Sequence, residues 1–350
     1  METQETKKRT QNIQRILKKH IIANSTILLG TSGGPDSQFL LKQLIIHQQL
    51  TKFKIICAHL DHKIREEGKD DAKFLNLYIK SLKSNTIQFI NTSKDIKKIA
   101  EDEKISTEEA GRNERYKFFG QICKEKNINF ILTGHHADDN AETILFNLIR
   151  GTSLKGLSGM QEIQSLDPKF NIPTSTKLLR PLLKTTKKEI LEDLVTWKIP
   201  YLIDKTNASN DYTRNLIRNK IIPKINKINP SFSKTLAKNT TTINETFDYI
   251  KTIAQEWVEN NTTTSKNNNE SKITFKAQHF LQQHIIIQKE ITKLIYKQLI
   301  GNTKDISQEN ISEVIMIIKN NIGNKEKKLC QTTFKINHNI VTCKQNTKSQ

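Results

Sequence analysis

Apolar residues in the first two hundred positions of the chain follow two alternating patterns. Short apolar runs bounded by turn residues predict buried strands. Those runs lie at Ile21–Gly30, from about Phe53, at Thr86–Ile90 and at Asn129–Thr133. Apolar positions at helical spacing predict helices over about Asp36–Leu50, Lys69–Leu82 and Asp138–Arg150. Strands that alternate with helices predict an α/β fold with a Rossmann-like parallel sheet, whose ligands bind beyond the carboxyl ends of the strands.

The pattern changes after about residue 218, where glycine nearly disappears and helical spacing dominates around Ser231–Glu259 and Leu281–Ile300. Between these helices, the polar stretch Glu259–Glu270 predicts a loop. Near the end, Lys328–Lys344 alternates like a strand and is interpreted as a hairpin. A domain boundary is therefore predicted near 220, with an α/β domain over 1–220 and a smaller, mainly helical domain over 221–350.

The N-terminus and the cysteines indicate in which cellular compartment the protein is expected to lie. The first twenty residues read as an amphipathic helix without the apolar centre of a secretory signal. No apolar run reaches the roughly 18 residues of a membrane span. The four cysteines, Cys57, Cys123, Cys330 and Cys343, form no CxxC pair and no metal-like cluster. These features predict a cytoplasmic protein without a membrane span, a disulfide framework or a zinc site.

The net charge of +20 suggests a polyanionic partner, because basic side chains that neutralise phosphates release counterions. A nucleotide bias of the genome that favours Lys, Asn and Ile explains the same charge without a partner. The arginines are more informative, because a guanidinium grips phosphate or carboxylate at two points. Only 9 of the 56 basic residues are Arg, and seven of them fall in or beside the motifs below: Arg65, Arg112, Arg115, Arg150, Arg180, Arg214 and Arg218.

A glycine-rich loop, Ser32-Gly33-Gly34-Pro35-Asp36-Ser37, follows the first predicted strand and precedes the first predicted helix of the α/β region. Its glycines allow a sharp turn and a close approach to a ligand, and the helix offers free N–H groups to phosphate. The hydroxyls of Ser32 and Ser37 can add hydrogen bonds. It is not a Walker loop, because no Gly-Lys-Ser/Thr follows. The alternative is a plain strand-to-helix turn.

The SGGPDS sequence resembles the PP-loop signature of the N-type ATP pyrophosphatases, which adenylate an oxygen, release pyrophosphate and let a nucleophile displace AMP. This resemblance implies that ATP and Mg2+ are cofactors, that the loop residues bind ATP, and that Asp36 lies near the metal or the phosphates.

Further blocks, in order, resemble those of the tRNA(Ile)-lysidine synthetases over about residues 25–230. Gly111 replaces the commoner alanine of the second block. The blocks are HLDHKIR (59–65), EAGRNERY (109–116), TGHHADDNAET (133–143), GTSLKGLSGM (151–160), LRPL (179–182) and DKTNASNDYTRNLIR (204–218) followed by Ile222-Pro223. The resemblance implies an enzyme that adenylates the wobble cytosine of a tRNA(Ile) with the anticodon CAU and then joins free lysine to it, giving lysidine.

Individual residues fit this chemistry. Asp139 and Glu142 are three apart at a helix start, so they share one face and can grip an ammonium group. The resemblance assigns them lysine recognition, and the alternative is a solvated acidic helix start. Arg112 and Arg115, also three apart, are predicted to clamp phosphates, with surface pairing as the alternative. His135, at a strand end, is predicted to touch ATP or the adenylate.

The chain from Arg214 to Asn244 carries seven basic residues and no acid, which predicts a tRNA-binding segment in which Arg214 and Arg218 contact phosphates. The second domain is expected to bind tRNA, and a homodimer is left open. Two other functions remain as alternatives. A PP-loop tRNA thiolase would need clustered cysteines, and a non-catalytic RNA-binding module would keep the basic segment with a vestigial loop.

Overall fold

The computed structural model describes residues 2–63, 68–203, 213–267, 270–302, 306–320 and 325–346. It divides into two compact units, Met1–Thr242 and Ile243–Gln350. The division lies beyond the predicted boundary near 220. The reason is that Phe232 and Leu236 pack against Ala141 in the first unit, while the Ser233 hydroxyl donates a 2.6 Å hydrogen bond to Asp138.

The first unit is built on a six-stranded sheet with the order β3-β2-β1-β4-β6-β5. All neighbouring strands are parallel except the edge strand β5, which runs antiparallel to β6. The strands are β1 (Thr26–Gly30), β2 (Lys54–Asp61), β3 (Ile87–Ser93), β4 (Phe130–Leu132), β5 (Ile163–Ser165) and β6 (Lys177–Leu179). The four strands predicted from the apolar runs are confirmed as β1 to β4, and the α/β fold class is confirmed with them.

Helices cover both faces of this sheet. They are α1 (Gln4–His20), α2 (Pro35–Gln48), α3 (Gly68–Ser81), α4 (Ile96–Glu103), α5 (Thr107–Lys126), α6 (Ala137–Ile149), α7 (Leu154–Leu157), α8 (Lys187–Thr196), α9 (Thr213–Leu216) and α10 (Ile222–Ile228). A π-helical turn, Ile217–Ile221, joins α9 to α10. The N-terminal helix predicted from its amphipathic pattern is confirmed as α1, which the Thr3 side chain caps.

The central strand β1 is buried on both faces because successive side chains of a strand point in opposite directions. Leu29 packs in a cluster with Phe39 of α2 and Leu194 of α8. Leu28 packs in a second cluster with Phe119 of α5. The chain builds β1, β2 and β3 outward in one direction and then crosses to β4 on the other side of β1. This change of direction opens a crevice beyond the carboxyl ends of β1 and β4, where ligands bind in such sheets.

The second unit contains part of α11 (Phe232–Asn261) together with α12 (Ala277–Leu281), α13 (Ile285–Ile300) and α14 (Gln308–Asn320). Its antiparallel sheet has the order β7-β8-β11-β10-β9. The strands are β7 (Thr262–Asn267), β8 (Glu270–Lys276), β9 (Lys325–Leu329), β10 (Thr332–Asn337) and β11 (Ile340–Gln345). Helix is the larger share of this unit, and the strand-like alternation of Lys328–Lys344 is confirmed.

The predicted loop over Glu259–Glu270 is wrong. Helix α11 continues to Asn261, and Thr262–Asn267 forms the edge strand β7 paired with β8. β-Branched threonines favour a strand once a partner strand is present, and a low-complexity pattern does not reveal that partner.

Across the described residues, none of the helices combines the length and the apolar character needed to cross a membrane.

Candidate active site

The SGGPDS loop (Ser32–Ser37) turns directly from β1 into α2. Gly33 has φ +79°, a conformation that L side chains rarely adopt, and its carbonyl accepts a 2.9 Å hydrogen bond from the Leu202 N–H. Gly34 is the N-cap of α2, with Pro35 at the first turn. The Ser37 hydroxyl donates to the Gly34 carbonyl at 2.9 Å. The loop therefore presents the free N–H groups of a helix start to the crevice, as expected for a phosphate site.

The turn after β4 lies directly against this loop. A Cβ atom added to Gly134 would come within 2.9 Å of the backbone carbonyl carbon of Asp36. Only glycine permits so close an approach of the two backbones without a shift. The SGGPDS loop and the GHHADD block, about a hundred residues apart in sequence, thus form one wall of the crevice.

Asp36 is paired with a lysine that the motif blocks do not contain. The Nζ atom of Lys187 lies 2.7 Å from Oδ1 and 2.8 Å from Oδ2 of Asp36. Lys187 is the first residue of α8, which follows β6. The sequence signal for this residue was weak, because one lysine among many in a Lys-rich chain stands out only when its position beyond a strand end is known.

His136 lies between Asp36 and Asp139. Its Nε2 atom is 3.6 Å from Asp36 Oδ1 and 3.5 Å from Asp139 Oδ2. The side chain is buried. At the start of α6, the His136 N–H also donates a 3.0 Å hydrogen bond to Asp139 Oδ2. A single buried imidazole therefore connects the nucleotide loop to the acidic helix start.

Asp139 and Glu142 share one helix face, and Arg218 occupies it. The Arg218 Nε atom donates to Glu142 Oε1 at 2.5 Å, and Nη2 donates to Glu142 Oε2 at 2.8 Å and to Asp139 Oδ1 at 3.2 Å. The side chain of Glu142 is 8% exposed and that of Arg218 is 39% exposed. Residues that the sequence assigned to lysine and to tRNA thus contact each other, because helix α6 and the π-helical turn lie side by side.

The charges in this cluster affect its carboxylates differently. Burial by itself raises the pKa of Asp139, but His136, its backbone hydrogen bond and Arg218 outweigh it, so the pKa of Asp139 lies below its ordinary value. Burial raises the pKa of Glu142 in spite of the Arg218 hydrogen bonds. The permanently charged Arg218 guanidinium opposes that rise, because it favours the charged carboxylate. The helix face is therefore a site for a cation.

Asp138 joins three elements of the first unit. Its Oδ2 atom accepts a 2.7 Å hydrogen bond from the backbone N–H of Lys187, and its Oδ1 atom accepts a hydrogen bond from the Ser233 hydroxyl. Asp138 therefore supports the site by fixing the starts of α8 and α11 to the start of α6.

A cavity of about 740 Å3 lies over the loop. Its lining includes most of the loop and Asp139 together with the side chains of His135, Arg115 and Lys187. The predicted ATP-binding His135 accordingly reaches the cavity. Its Nδ1 atom lies 2.7 Å from the Thr133 hydroxyl, and burial lowers its pKa to about 4, so that the imidazole is neutral at pH 7.

Arg112 and Arg115, which were predicted to clamp phosphates together, lie in different places. Arg115 lines the cavity, with Nη2 3.4 Å from His62 Nε2. The Arg112 guanidinium lies over the Tyr116 ring, 5.2 Å from its centre. Arg112 is thus exposed beside the cavity, and it is not among the described residues that line it.

Arg214, the other predicted tRNA contact, is exposed on the surface of the first unit. Its Nη1 atom donates to Glu108 at 2.6 Å, with both side chains about half exposed. Arg65 of the first block and residues 204–212 of the last block lie outside the described residues.

The described side chains of this crevice could bind Mg2+ only together with the phosphates of a nucleotide. Among the described residues, no group of three or more His, Cys, Asp or Glu side chains could hold a metal ion by itself. Mg2+ commonly binds one or two carboxylates together with substrate phosphates and water. Asp36, at the phosphate-facing loop, is a carboxylate suited to that arrangement.

The four cysteines all lie within the described residues, and no disulfide joins them. Burial raises the pKa of Cys57 and of Cys123 to about 12, and Cys343 is also buried. Buried thiols with raised pKa values are poor nucleophiles and poor metal ligands. The described part of the chain therefore lacks the clustered reactive cysteines of the thiolase alternative.

Comparisons with known proteins show which family the chain belongs to. The family model of the PP-loop domain matches residues 5–225. The tRNA(Ile)-lysidine synthase of Thermosipho africanus is 40% identical over 240 residues, which cover 68% of this chain and 53% of that protein. The tRNA(Ile)-lysidine synthase of Caldanaerobacter subterraneus is 29% identical over 345 residues, which cover 97% of this chain and 70% of that protein. The chain thus spans about half the length of the first relative.

Among solved structures, the U34-tRNA thiolase of Methanococcus maripaludis, determined with its [4Fe-4S] cluster, aligns with a TM-score of 0.56. The alignment covers 68% of this chain and 78% of that chain at 19% identity. At that identity the likeness concerns the fold alone.

Proposed function

Because the chain belongs to the PP-loop domain family, we propose that it is a carbon–nitrogen ligase that joins lysine to the wobble cytidine of tRNA(Ile) with the anticodon CAU. In the first step, the carbonyl oxygen at position 2 of cytosine attacks the α-phosphate of ATP, and pyrophosphate leaves. In the second step, the lysine ε-amine attacks carbon 2 and loses a proton, and AMP departs with that oxygen. The product, lysidine, allows AUA codons to be read.

One observation carries this proposal: the phosphate-facing loop and the acidic helix start lie in the same crevice, with His136 within 3.6 Å of both Asp36 and Asp139. A ligase that uses a base adenylate needs a nucleotide site and an amine site in contact. The close packing of Gly134 on Asp36 supplies this arrangement at the level of the backbone.

The loop Ser32–Ser37 would hold the ATP phosphates through the N–H groups at the start of α2. Asp36 would bind Mg2+ that arrives with ATP, and the ion would neutralise charge on the phosphates during adenylation. Arg115, at the cavity, would stabilise the negative charge that develops on the leaving pyrophosphate. Arg112 would assist from the rim. Neutral His135 would face the nucleotide.

Asp139 and Glu142 would bind the lysine substrate through an ammonium group. Their contact with Arg218 supports this role, because the pair already accommodates a cation with charge-assisted hydrogen bonds. A lysine ammonium entering the same face would have to replace part of the Arg218 contact. Arg218 would then be free to turn toward an RNA phosphate.

The basic segment 214–244 would be a tRNA-binding surface. Arg214 is half exposed and its ion pair with Glu108 is weak in water, so the guanidinium is available to a phosphate. Helices and strands of 243–350 would bind the body of the tRNA. A reaction that consumes ATP and tRNA would take place in the cytoplasm.

Lysine incorporation tests the proposal. Purified protein incubated with ATP, Mg2+, radiolabelled lysine and tRNA(Ile) with CAU should transfer label to the tRNA, and omission of any component should prevent transfer. A tRNA with guanine at the wobble position is the matched control and should stay unlabelled. Label in the control would contradict base-specific ligation. Absence of tRNA-dependent ATP–pyrophosphate exchange would favour a non-catalytic RNA-binding module, and sulfur incorporation would favour a thiolase.

A further inference from the structure

The nucleotide loop contains no cation of its own. In a Walker loop, a lysine within the motif reaches the β- and γ-phosphates of the nucleotide. The loop Ser32–Ser37 has no Lys or Arg at any position. A triphosphate bound there would carry several negative charges close to the Asp36 carboxylate, so a positive side chain has to come from elsewhere in the fold.

Among the described residues that line the cavity, the permanent cations are Arg115 and Lys187, and the acids are Asp36, Asp61, Asp71 and Asp139. The described part of the lining is therefore acidic in balance and repels polyphosphate. Arg115 lies on α5, whereas Lys187 is in direct contact with the loop through Asp36. Among the described lining residues, Lys187 is thus the permanent cation that contacts the SGGPDS loop.

Lys187 is held firmly at its backbone and is open at its tip. Thr186 caps α8 in a reciprocal capping box with Glu189, with hydrogen bonds of 2.8 Å and 3.3 Å. The Lys187 N–H donates to Asp138 at 2.7 Å. The side chain nevertheless stays 37% exposed. A fixed backbone with an accessible ammonium group is the arrangement expected of a ligand-binding lysine.

We propose that Lys187 is the phosphate-binding cation of this nucleotide site, supplied from the end of β6 in place of a lysine within the loop. Without nucleotide, its ammonium group is neutralised by Asp36. When ATP binds, Nζ exchanges the carboxylate for phosphate oxygens, and Asp36 is released to the metal ion that accompanies ATP. This inference rests on the proposed function in one respect, that the cavity binds ATP.

The exchange requires little rearrangement. Asp36 lies within the loop, so phosphate oxygens bound by the loop would be close to its carboxylate. The Lys187 side chain could reach them by rotating about its own bonds. Both partners are partly exposed, at 37% and 29%, and such an ion pair contributes little net stability. A structural ion pair would instead be expected to be buried, as the Arg9–Asp193 pair is.

Equilibrium binding of ATP and of AMP to the full chain in EDTA tests the proposal without metal. Lys187→Met should weaken ATP binding by about tenfold or more, which corresponds to roughly 1.4 kcal/mol. Its affinity for AMP, which lacks the β- and γ-phosphates, should change less than about twofold. Lys187→Arg, which keeps the charge, should restore part of the ATP affinity. The control is Lys188→Met on the same helix, where the lysine is 86% exposed and lies 4.0 Å from Glu192.

A second pair of variants separates direct contact from neutralisation of Asp36. If Lys187 acts only by cancelling the Asp36 charge, Lys187→Met should have no effect on ATP binding in an Asp36→Asn background. Direct contact predicts that the loss persists there. Persistence supports the proposal. Its disappearance, an equal loss for AMP, or an equal loss in Lys188→Met overturns it. Failure of the unchanged protein to bind ATP both in EDTA and in excess Mg2+ would instead contradict the proposed function.

Discussion

The crevice contains two carboxylate sites, each neutralised by a cation of the same chain, and they differ in kind. At the nucleotide loop, one carboxylate meets one lysine, and both side chains are about a third exposed. At the start of α6, two carboxylates share one arginine through three hydrogen bonds, and Glu142 is nearly buried. The exposed Asp36–Lys187 pair can separate at little cost when a ligand binds. The Arg218 pair with Asp139 and Glu142 contributes more to the stability of the fold.

The largest effects are expected from replacing Asp36 or Asp139, and each replacement should affect different steps of the proposed reaction. Asp36→Ala should abolish both tRNA-dependent ATP–pyrophosphate exchange and lysine incorporation, because the nucleotide site is lost. Asp139→Ala should reduce lysine incorporation by at least about a hundredfold while exchange persists, because only the amine site is lost. Circular dichroism checks that both variants are folded. Equal loss of exchange in the two variants would mean that the sites do not act separately.

The next effect concerns stability. Arg218→Met leaves Glu142 without its counterion, and breaking a buried pair costs about 3–5 kcal/mol. Since Arg218 is 39% exposed, a loss of about 2 kcal/mol is expected in urea unfolding. The double variant Arg218→Met with Glu142→Gln should recover part of the loss. Lys187→Met should lower stability by less than about 1 kcal/mol. A ranking in the opposite order would contradict the distinction drawn between the two pairs.

A smaller effect depends on pH. The pKa of His135 is about 4 in the folded protein, compared with an ordinary value of 6.5. Between these two pH values the unfolded chain therefore binds more protons than the folded protein. Folding stability should therefore fall as the pH drops from about 6.5 to 4, by about 1 kcal/mol after allowance for partial exposure. Unfolding in urea at pH 7.5 and at pH 5 measures this change. His135→Gln should reduce the difference, and an unchanged difference would exclude His135 as its source.

The smallest stability effect is expected at Arg214, whose ion pair is exposed. Arg214→Ala should change the free energy of unfolding by less than about 0.5 kcal/mol. Its effect should appear in tRNA binding, where the slope of log affinity against log salt should decrease by about 1. Lys251→Ala, at an exposed position of α11, offers a matched basic control. An unchanged salt slope in Arg214→Ala would remove this residue from the tRNA surface.

The sequence predicted the parts of this site that lie within continuous motifs. The SGGPDS loop, Asp139 and Glu142 were identified because glycine, helix-start and i,i+3 patterns are local. The apolar runs placed these motifs beyond strand ends, and the sheet order then brings β1 and β4 together.

Long-range pairings were beyond the reach of the sequence. Asp36 and Lys187 are 151 positions apart, and Arg218 and Glu142 are 76 apart. Which lysine of a Lys-rich chain meets Asp36 depends on the crossover that brings β6 beside β4. The role of His136 as the link between two carboxylates was likewise hidden, because its neighbours come from both motifs. The strand β7 was missed for a different reason: its partner β8 begins at Glu270, close along the chain, but the polar low-complexity composition of this stretch lacks the apolar alternation of a strand.

The close contact between Gly134 and Asp36 also sets a fixed distance within the crevice. Backbone atoms, not flexible side chains, fix the distance between the SGGPDS loop and the start of α6. In the proposed ligase, a substrate amino acid one methylene shorter than lysine would not be accommodated by movement of that wall. One methylene typically changes discrimination by about 1–3 kcal/mol, so ornithine should be rejected on length before charge is considered.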